Sequence, residues 1–302
     1  MPHASSAPNR FGVDDAKESL EDACRAVGLY YNDAQLIRLG ENALFRLAAS
    51  STVVRIARTM EYWQDALNEV NVAQWLKSQD FMAAEVCEVP QPVVGAGRPV
   101  TFWKHIDGRP GSRSDIATLG VVLRRLHSMP RPSDFALPDE VILGRVGARI
   151  EVAPVPDDDK RYLYSRLEEL DASVSSIRFP LAPAPTHGDA HSENLMIRDG
   201  QPVLIDFERF AWGQPEWDLA MTATEFATAG WWTREEYAQF VDAYGYDVMQ
   251  WREGFDVLRA VHEIKMTTWL MQNVKVSEDI ADEYRVRMKT IREGYRTEWR
   301  PF

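Results

Sequence analysis

Apolar positions in the first third of the chain switch between helical and strand-like spacing. Ala16, Leu20, Ala23 and Val27 recur at helical intervals and stop at Gly28, so residues 14–27 are expected to form a helix with a glycine cap. Three short β-like runs follow, 35–39, 44–48 and 53–57, separated by Gly40-Glu41-Asn42 and by Ser50-Ser51-Thr52. That order predicts an antiparallel meander. Trp63, Leu67, Val70 and Trp75 return to helical spacing over 62–76, and 92–106 reads as two strands around Gly95-Ala96-Gly97. The first part of the chain is therefore expected to be a small sheet with a helix inserted after its third strand.

From residue 115 the pattern becomes mainly helical. Ile116, Leu119, Leu123 and Leu126 share one face of a predicted helix over 115–129, with Ser114 as its expected cap. Residues 130–156 read as a long connection punctuated by proline. Residues 157–177 are amphipathic and start on Asp157-Asp158-Asp159, favourable at a helix N-terminus. Pro180, Pro183 and Pro185 force extended chain. A hairpin is expected from 195–197 and 203–205 around Asp199-Gly200. Helices then follow over 234–244, behind the capping box Thr233-Arg-Glu-Glu236, and over 251–274 and 278–296. Residues 1–12 are expected to be a disordered tail. The fold class this predicts is α+β.

With 302 residues the chain is long enough for two domains, read as 1–105 and 106–302. A net charge of −12, spread along the chain, argues against nucleic acid or an anionic membrane as partner. No signal peptide and no membrane span are expected. Cys24 and Cys87 stand far apart with no metal-binding spacing, which fits idle thiols and a cytoplasmic location.

The candidate chemistry lies in Thr186-His187-Gly188-Asp189-Ala190-His191-Ser192-Glu193-Asn194, the hairpin, and Ile205-Asp206-Phe207-Glu208. Phosphoryl transfer needs a carboxylate to take or orient the proton of the attacking hydroxyl. It also needs hard oxygen ligands for Mg²⁺ across the β- and γ-phosphates. Asp189 and Asn194, five residues apart on one loop, and Asp206, at the end of the hairpin, can supply these. Each piece alone is also an ordinary turn signal; their order and spacing together point to the chemistry.

These motifs, with Glu216-Trp217-Asp218-Leu219-Ala220, resemble the aminoglycoside phosphotransferase and choline kinase superfamily, the phosphotransferase enzyme family. The resemblance implies a two-lobed protein-kinase-like fold with a small antiparallel-sheet N-lobe and a helical C-lobe. It implies Asp189 as catalytic base, Asn194 and Asp206 as Mg²⁺ ligands, and His187 and Asp218 as braces of the catalytic loop. Arg55 stands where such folds carry a phosphate-anchoring lysine paired with a helix glutamate, here Glu69. The alternative is that Arg55 is a surface charge on a strand. Gly40 to Asn42 would cover the phosphates, and Phe102-Trp103-Lys104-His105 would form the hinge whose backbone meets the base of ATP or GTP.

The resemblance further implies nucleotide-dependent phosphorylation of a hydroxyl on a small molecule, with the late helices forming the acceptor site. A polyhydroxylated, amine-bearing acceptor is expected: an aminoglycoside or other antibiotic, or an amino sugar. A role in antibiotic resistance would follow. Acceptor candidates are His191, Glu193, Glu208, Trp231, Trp232 and Glu263. His191 is weighed against a loop-closing role, and Glu263 against a pairing with Arg259 one helical turn away. A catalytically silent nucleotide- or metabolite-binding protein is the alternative; a protein kinase is disfavoured because no Ala-Pro-Glu motif follows Asp206.

Overall fold

The computed structural model describes residues 11–40, 42–294 and 298–302. Glu41 and residues 1–10 of the expected tail lie outside the described residues, as does Arg296 of the last predicted helix. The chain packs as two compact units. Unit 1 is Met1–Pro110 with Met196–Arg209; unit 2 is Gly111–Leu195 with Phe210–Phe302.

Unit 1 is built on a five-stranded antiparallel sheet in the order β1-β2-β3-β5-β4. Its strands are β1 (Ala34–Leu39), β2 (Asn42–Leu47), β3 (Thr52–Ala57), β4 (Val93–Gly95) and β5 (Arg98–Lys104). The meander sets β2 against β3 with Leu44 opposite Arg55, and β3 against β5 with Arg55 opposite Thr101. Helix α1 (Val13–Val27) ends on Gly28 in the left-handed conformation, which glycine adopts without steric cost. It packs Ala16, Leu20 and Ala23 onto Phe45, Val54, Ile56 and Phe102 of the sheet. Burying each large side chain there is worth roughly 1.5–3 kcal/mol. Phe11 also packs on this core, with the Arg98 guanidinium 5.3 Å from its ring, so the tail predicted for residues 1–12 does not extend to Phe11. Helix α2 (Trp63–Ser78) lies between β3 and β4 in sequence, as expected. A second sheet of unit 1 places β6 (Arg109–Pro110) beside β8 (Leu195–Arg198), which pairs in turn with β9 (Gln201–Leu204).

Unit 2 is helical. Its helices are α3 (Ile116–His127), α4 (Val146–Val152), α5 (Asp157–Ser176), α6 (Pro215–Thr224), α7 (Arg234–Tyr244), α8 (Arg252–Met271) and α9 (Glu278–Glu293). A two-stranded sheet pairs β7 (Ala184–Thr186) with β10 (Ala211–Gly213). Helices α3 and α7 approach closely at Gly120, where a Cβ would come within 2.7 Å of the Phe240 carbonyl oxygen. Sequence reading misplaced two features. The cap before α3 is Ser112, not Ser114: the Asp115 carboxylate accepts from the Ser112 backbone and hydroxyl, both at 2.8 Å. The supposed connection over 130–156 contains α4. The short strands β6 and β10 had no sequence counterpart, and neither had a third feature. After α6 the backbone widens into a π-helical turn, Glu225–Ala229, ending on left-handed Gly230.

Candidate active site

In unit 1 the site gathers around Arg55, on the centre of β3. Its guanidinium forms ion pairs with Glu69 at 2.6 Å, Asp206 at 3.3 Å and Glu208 at 2.5 Å. With its amide turned to the orientation that satisfies both of its ends, the Asn42 oxygen accepts from the same group at 2.7 and 3.2 Å. Arg55 is thus no surface charge. Burial opposes its charge, but the carboxylates of Glu69, Asp206 and Glu208 outweigh that and raise its pKa. Burial drives the Glu69 carboxyl up to about 8, with Arg55 pulling the other way. Asp206 adopts a left-handed backbone (φ 65°), uncommon for a residue with a side chain and typical of constrained sites. Buried Phe207 next to it contacts the Trp103 ring at 6.1 Å. Oxygens of Glu69, Asp206 and Glu208 lie within 4.8 Å of one another, so this all-oxygen donor set suits a hard divalent cation such as Mg²⁺ or Ca²⁺.

The remaining candidates of unit 1 lie on the flanking turns. The Gly40 carbonyl accepts from the Arg58 guanidinium at 3.0 Å. The Lys104 ammonium pairs with Glu85 at 2.8 Å, and the backbone amides of Lys104 and His105 donate to the carbonyls of Glu85 and Ser51.

In unit 2 the loop after β7 is held from below by one buried carboxylate. Asp218, in the first turn of α6, accepts from the backbone amides of His187 at 2.7 Å and Gly188 at 2.8 Å. Gly188 sits at φ 78°, which lets the chain turn there. Asp218 also meets His127 Nε2 at 3.0 Å, and His127 Nδ1 meets the Tyr244 hydroxyl at 2.9 Å. Burial works against the Asp218 charge, but the histidine and amide contacts dominate and lower its pKa. Above this brace Asp189 is half-exposed. Its carbonyl accepts from the Asn194 amide at 2.8 Å, which closes the loop, and His191 Nε2 stands 3.9 Å from its carboxylate.

The π-helical turn carries a buried carboxylate that feels the charges of this loop. Glu225 is 5% exposed and accepts from the Trp232 indole at 2.7 Å. Burial raises its pKa to about 7 against the pull of that hydrogen bond, and the charges of Asp189 and Glu193 push the same way. Trp231 donates to the Trp299 carbonyl at 2.6 Å. Glu263, on α8, accepts from Thr228 in the same turn at 2.6 Å, and burial raises its pKa. The anticipated ion pair with Arg259 does not form: that guanidinium goes to Asp256 at 3.1 Å.

Sequence reasoning missed His127, Tyr244 and Glu225. Glu225 did leave a signal, as the one ionisable residue between Asp218 and Arg234 in an otherwise apolar and hydroxylic run. His127 and Tyr244 left none, because each ends a helix as an ordinary polar residue would.

A model of the phosphotransferase enzyme family matches residues 35–290. No curated protein matches the chain in sequence. Several solved structures share the fold. An amicoumacin kinase in complex with AMP-PNP and Ca²⁺ is 15% identical, with a TM-score of 0.72 over 94% of this chain and 97% of that one. A choline/ethanolamine kinase family protein from Mesorhizobium loti is 17% identical, with a TM-score of 0.64 over 93% and 94%. An aminoglycoside phosphotransferase from Streptomyces rimosus is 20% identical, with a TM-score of 0.56 over 81% and 97%. With the family's pattern running from the first strand of the meander into the last helix, the chain belongs to the phosphotransferase enzyme family and is a small-molecule kinase of protein-kinase-like fold.

Proposed function

We propose that this kinase transfers the γ-phosphate of ATP or GTP to a hydroxyl of a small, amine-bearing molecule such as an aminoglycoside, an amino sugar or an amino alcohol. One observation carries the acceptor reading. In unit 2 the loop after β7 presents two accessible carboxylates, Asp189 and Glu193, whose negative charges also reach the buried Glu225 carboxyl. Two accessible like charges on one loop favour a cationic group, which offsets their mutual repulsion. Solved neighbours include kinases whose names specify choline, ethanolamine or aminopropanol, which supports the same chemical class.

In this reading Asp189 takes the proton of the acceptor hydroxyl as its oxygen bonds to the γ-phosphorus, and the nucleoside diphosphate leaves with the electrons of the broken P–O bond. Asp218 fixes the loop amides so that Asp189 is held in place before the acceptor arrives. Arg55 binds α- and β-phosphate oxygens through its planar fork. Asn194 and Asp206 would hold Mg²⁺, with Glu69 and Glu208 as further oxygen donors beside Asp206 in unit 1. The cation, when bound, neutralises charge on the β- and γ-phosphates.

The test is release of ADP or GDP against a panel of hydroxylated amines and their neutral analogues, with Asp189→Asn as the blank. Turnover of at least one amine, lost by roughly 10²–10⁴-fold in Asp189→Asn, is expected for a general base. Exclusive use of neutral or anionic acceptors would end the amine reading, and undiminished turnover in the variant would end the assignment of Asp189.

A further inference from the structure

The π-helical turn is tied to the end of the chain. Trp299 is 3% exposed, and its backbone amide donates to the carbonyl of Ala229, the last residue of the turn, at 3.0 Å. Its carbonyl accepts from the Trp231 indole at 2.6 Å. Its own indole donates to Thr290 on α9 at 3.1 Å, and the Arg287 guanidinium lies 4.8 Å from its ring. Arg287 is itself buried in an ion pair with Glu283 at 2.8 Å and donates to the Arg300 carbonyl at 2.7 Å. Residues 298–302 therefore do more than trail from α9: they are bonded to α9 on one side and to the π-helical turn on the other.

A π-helical turn is rare and occurs mostly as a single turn within a helix, frequently at a functional site. Here three anchors hold it. Glu263 takes Thr228, Trp232 takes Glu225, and Trp299 takes both Ala229 and Trp231. The Trp231 amide also donates to the Glu225 carbonyl at 3.0 Å, so a shift of Trp231 moves the residue that carries the carboxylate. We infer that residues 298–302 are a specificity-determining part of the acceptor site, with Trp299 a positioning residue that fixes Glu225 beside the catalytic loop through Trp231 and Ala229. This inference rests on the acceptor reading above for its functional half; its mechanical half stands on the contacts alone. Trp299 touches no reacting atom. Its effect is on where the carboxylate sits, so it should govern which amines bind and leave nucleotide affinity alone.

The experiment compares three full-chain variants, Trp299→Ala, Trp299→Phe and Trp231→Phe, with the wild type. Hydrogen exchange needs no acceptor. In Trp299→Ala the amides of residues 225–232 should exchange at least 10-fold faster, while those of 187 and 188, held by Asp218, stay protected. Trp299→Phe, which keeps the ring and the backbone, should restore most of that protection. Unchanged exchange over 225–232 in Trp299→Ala would overturn the inference, as would an equal rise throughout unit 2. Kinetics then use choline, 1-amino-2-propanol and kanamycin as acceptors with Mg²⁺-ATP. Trp231→Phe removes one hydrogen bond and should keep the wild-type melting temperature. It should raise the KM of the accepted amines at least 5-fold and leave the nucleotide KM within 2-fold. Equal rises in both KM values, or none, would overturn the functional half. A wild-type protein that phosphorylates none of the three amines but is active on neutral alcohols refutes the acceptor reading, while the exchange data decide the tether on their own.

Discussion

At the scale of single residues the most informative side chain is Arg55. A lysine ammonium at this position would act as a point charge, whereas the guanidinium fork meets Glu69, Asp206, Glu208 and Asn42 together. Arg55→Ala should raise the nucleotide KM at least 10-fold with little change in acceptor KM, and Arg55→Lys should recover part of the loss; steady-state kinetics with each substrate varied separately will show this. The same change strands Glu69, which is 3% exposed, without its countercharge. It should lower stability in urea unfolding, with the buried Glu69 carboxyl taking up a proton in place of its lost partner. How much of this was legible follows from distance along the chain. Asp189 and Asn194 share a loop, and Arg55 and Glu69 sit on a strand and the next helix, so local pattern reveals each pair. Glu208 lies 153 residues from Arg55, and no period or motif announces a contact that only tertiary folding makes.

At the scale of elements, boundaries read from apolar spacing fell close to the observed ones for α1, β1 to β5, α5 and α7, because each buries one face or ends on a turn residue. The π-helical turn was invisible, since its apolar and small residues suit an α-helix equally well. Its carboxylate has a pH signature. Glu225 titrates at about 7 in the folded chain and at its ordinary value when unfolded, so it favours the folded state at low pH, and this contribution is lost as pH rises from about 4.5 through 7. Glu225→Gln should therefore stabilise the protein at pH 8, by up to about 3 kcal/mol, and leave it nearly unchanged at pH 4. For wild type the KM of an amine acceptor should fall as pH rises through 7, and Glu225→Gln should flatten that profile. Helix ends supply a second prediction. The end of α3 provides His127 to Asp218, and the end of α7 provides Tyr244 to His127. His127→Ala should lower kcat with little effect on either KM and speed hydrogen exchange at the amides of 187 and 188, while Tyr244→Phe, which keeps the ring, should do so more weakly.

At the scale of the whole molecule the net charge is −12, and unit 1 gathers the carboxylates of Glu69, Asp206 and Glu208 around Arg55. Mg²⁺ with nucleotide should raise the melting temperature, and ligand at about 100 times its Kd adds about 2.7 kcal/mol. Asp206→Ala should abolish that shift in differential scanning fluorimetry. None of the described helices is long and apolar enough to cross a membrane. The two cysteines differ in accessibility. Cys24 is fully buried in the core under α1, and burial raises its thiol to about 11. Cys87 is only partly covered and lines a cavity of about 280 Å³ beside α2, with its amide bonded to Phe102 on the strand leading into the predicted hinge. Burial raises the Cys87 thiol as well, so a maleimide fluorophore should attach there slowly and leave Cys24 unlabelled. Such a dye would sit one backbone hydrogen bond from Phe102, in the segment expected to form the hinge, without any engineered cysteine.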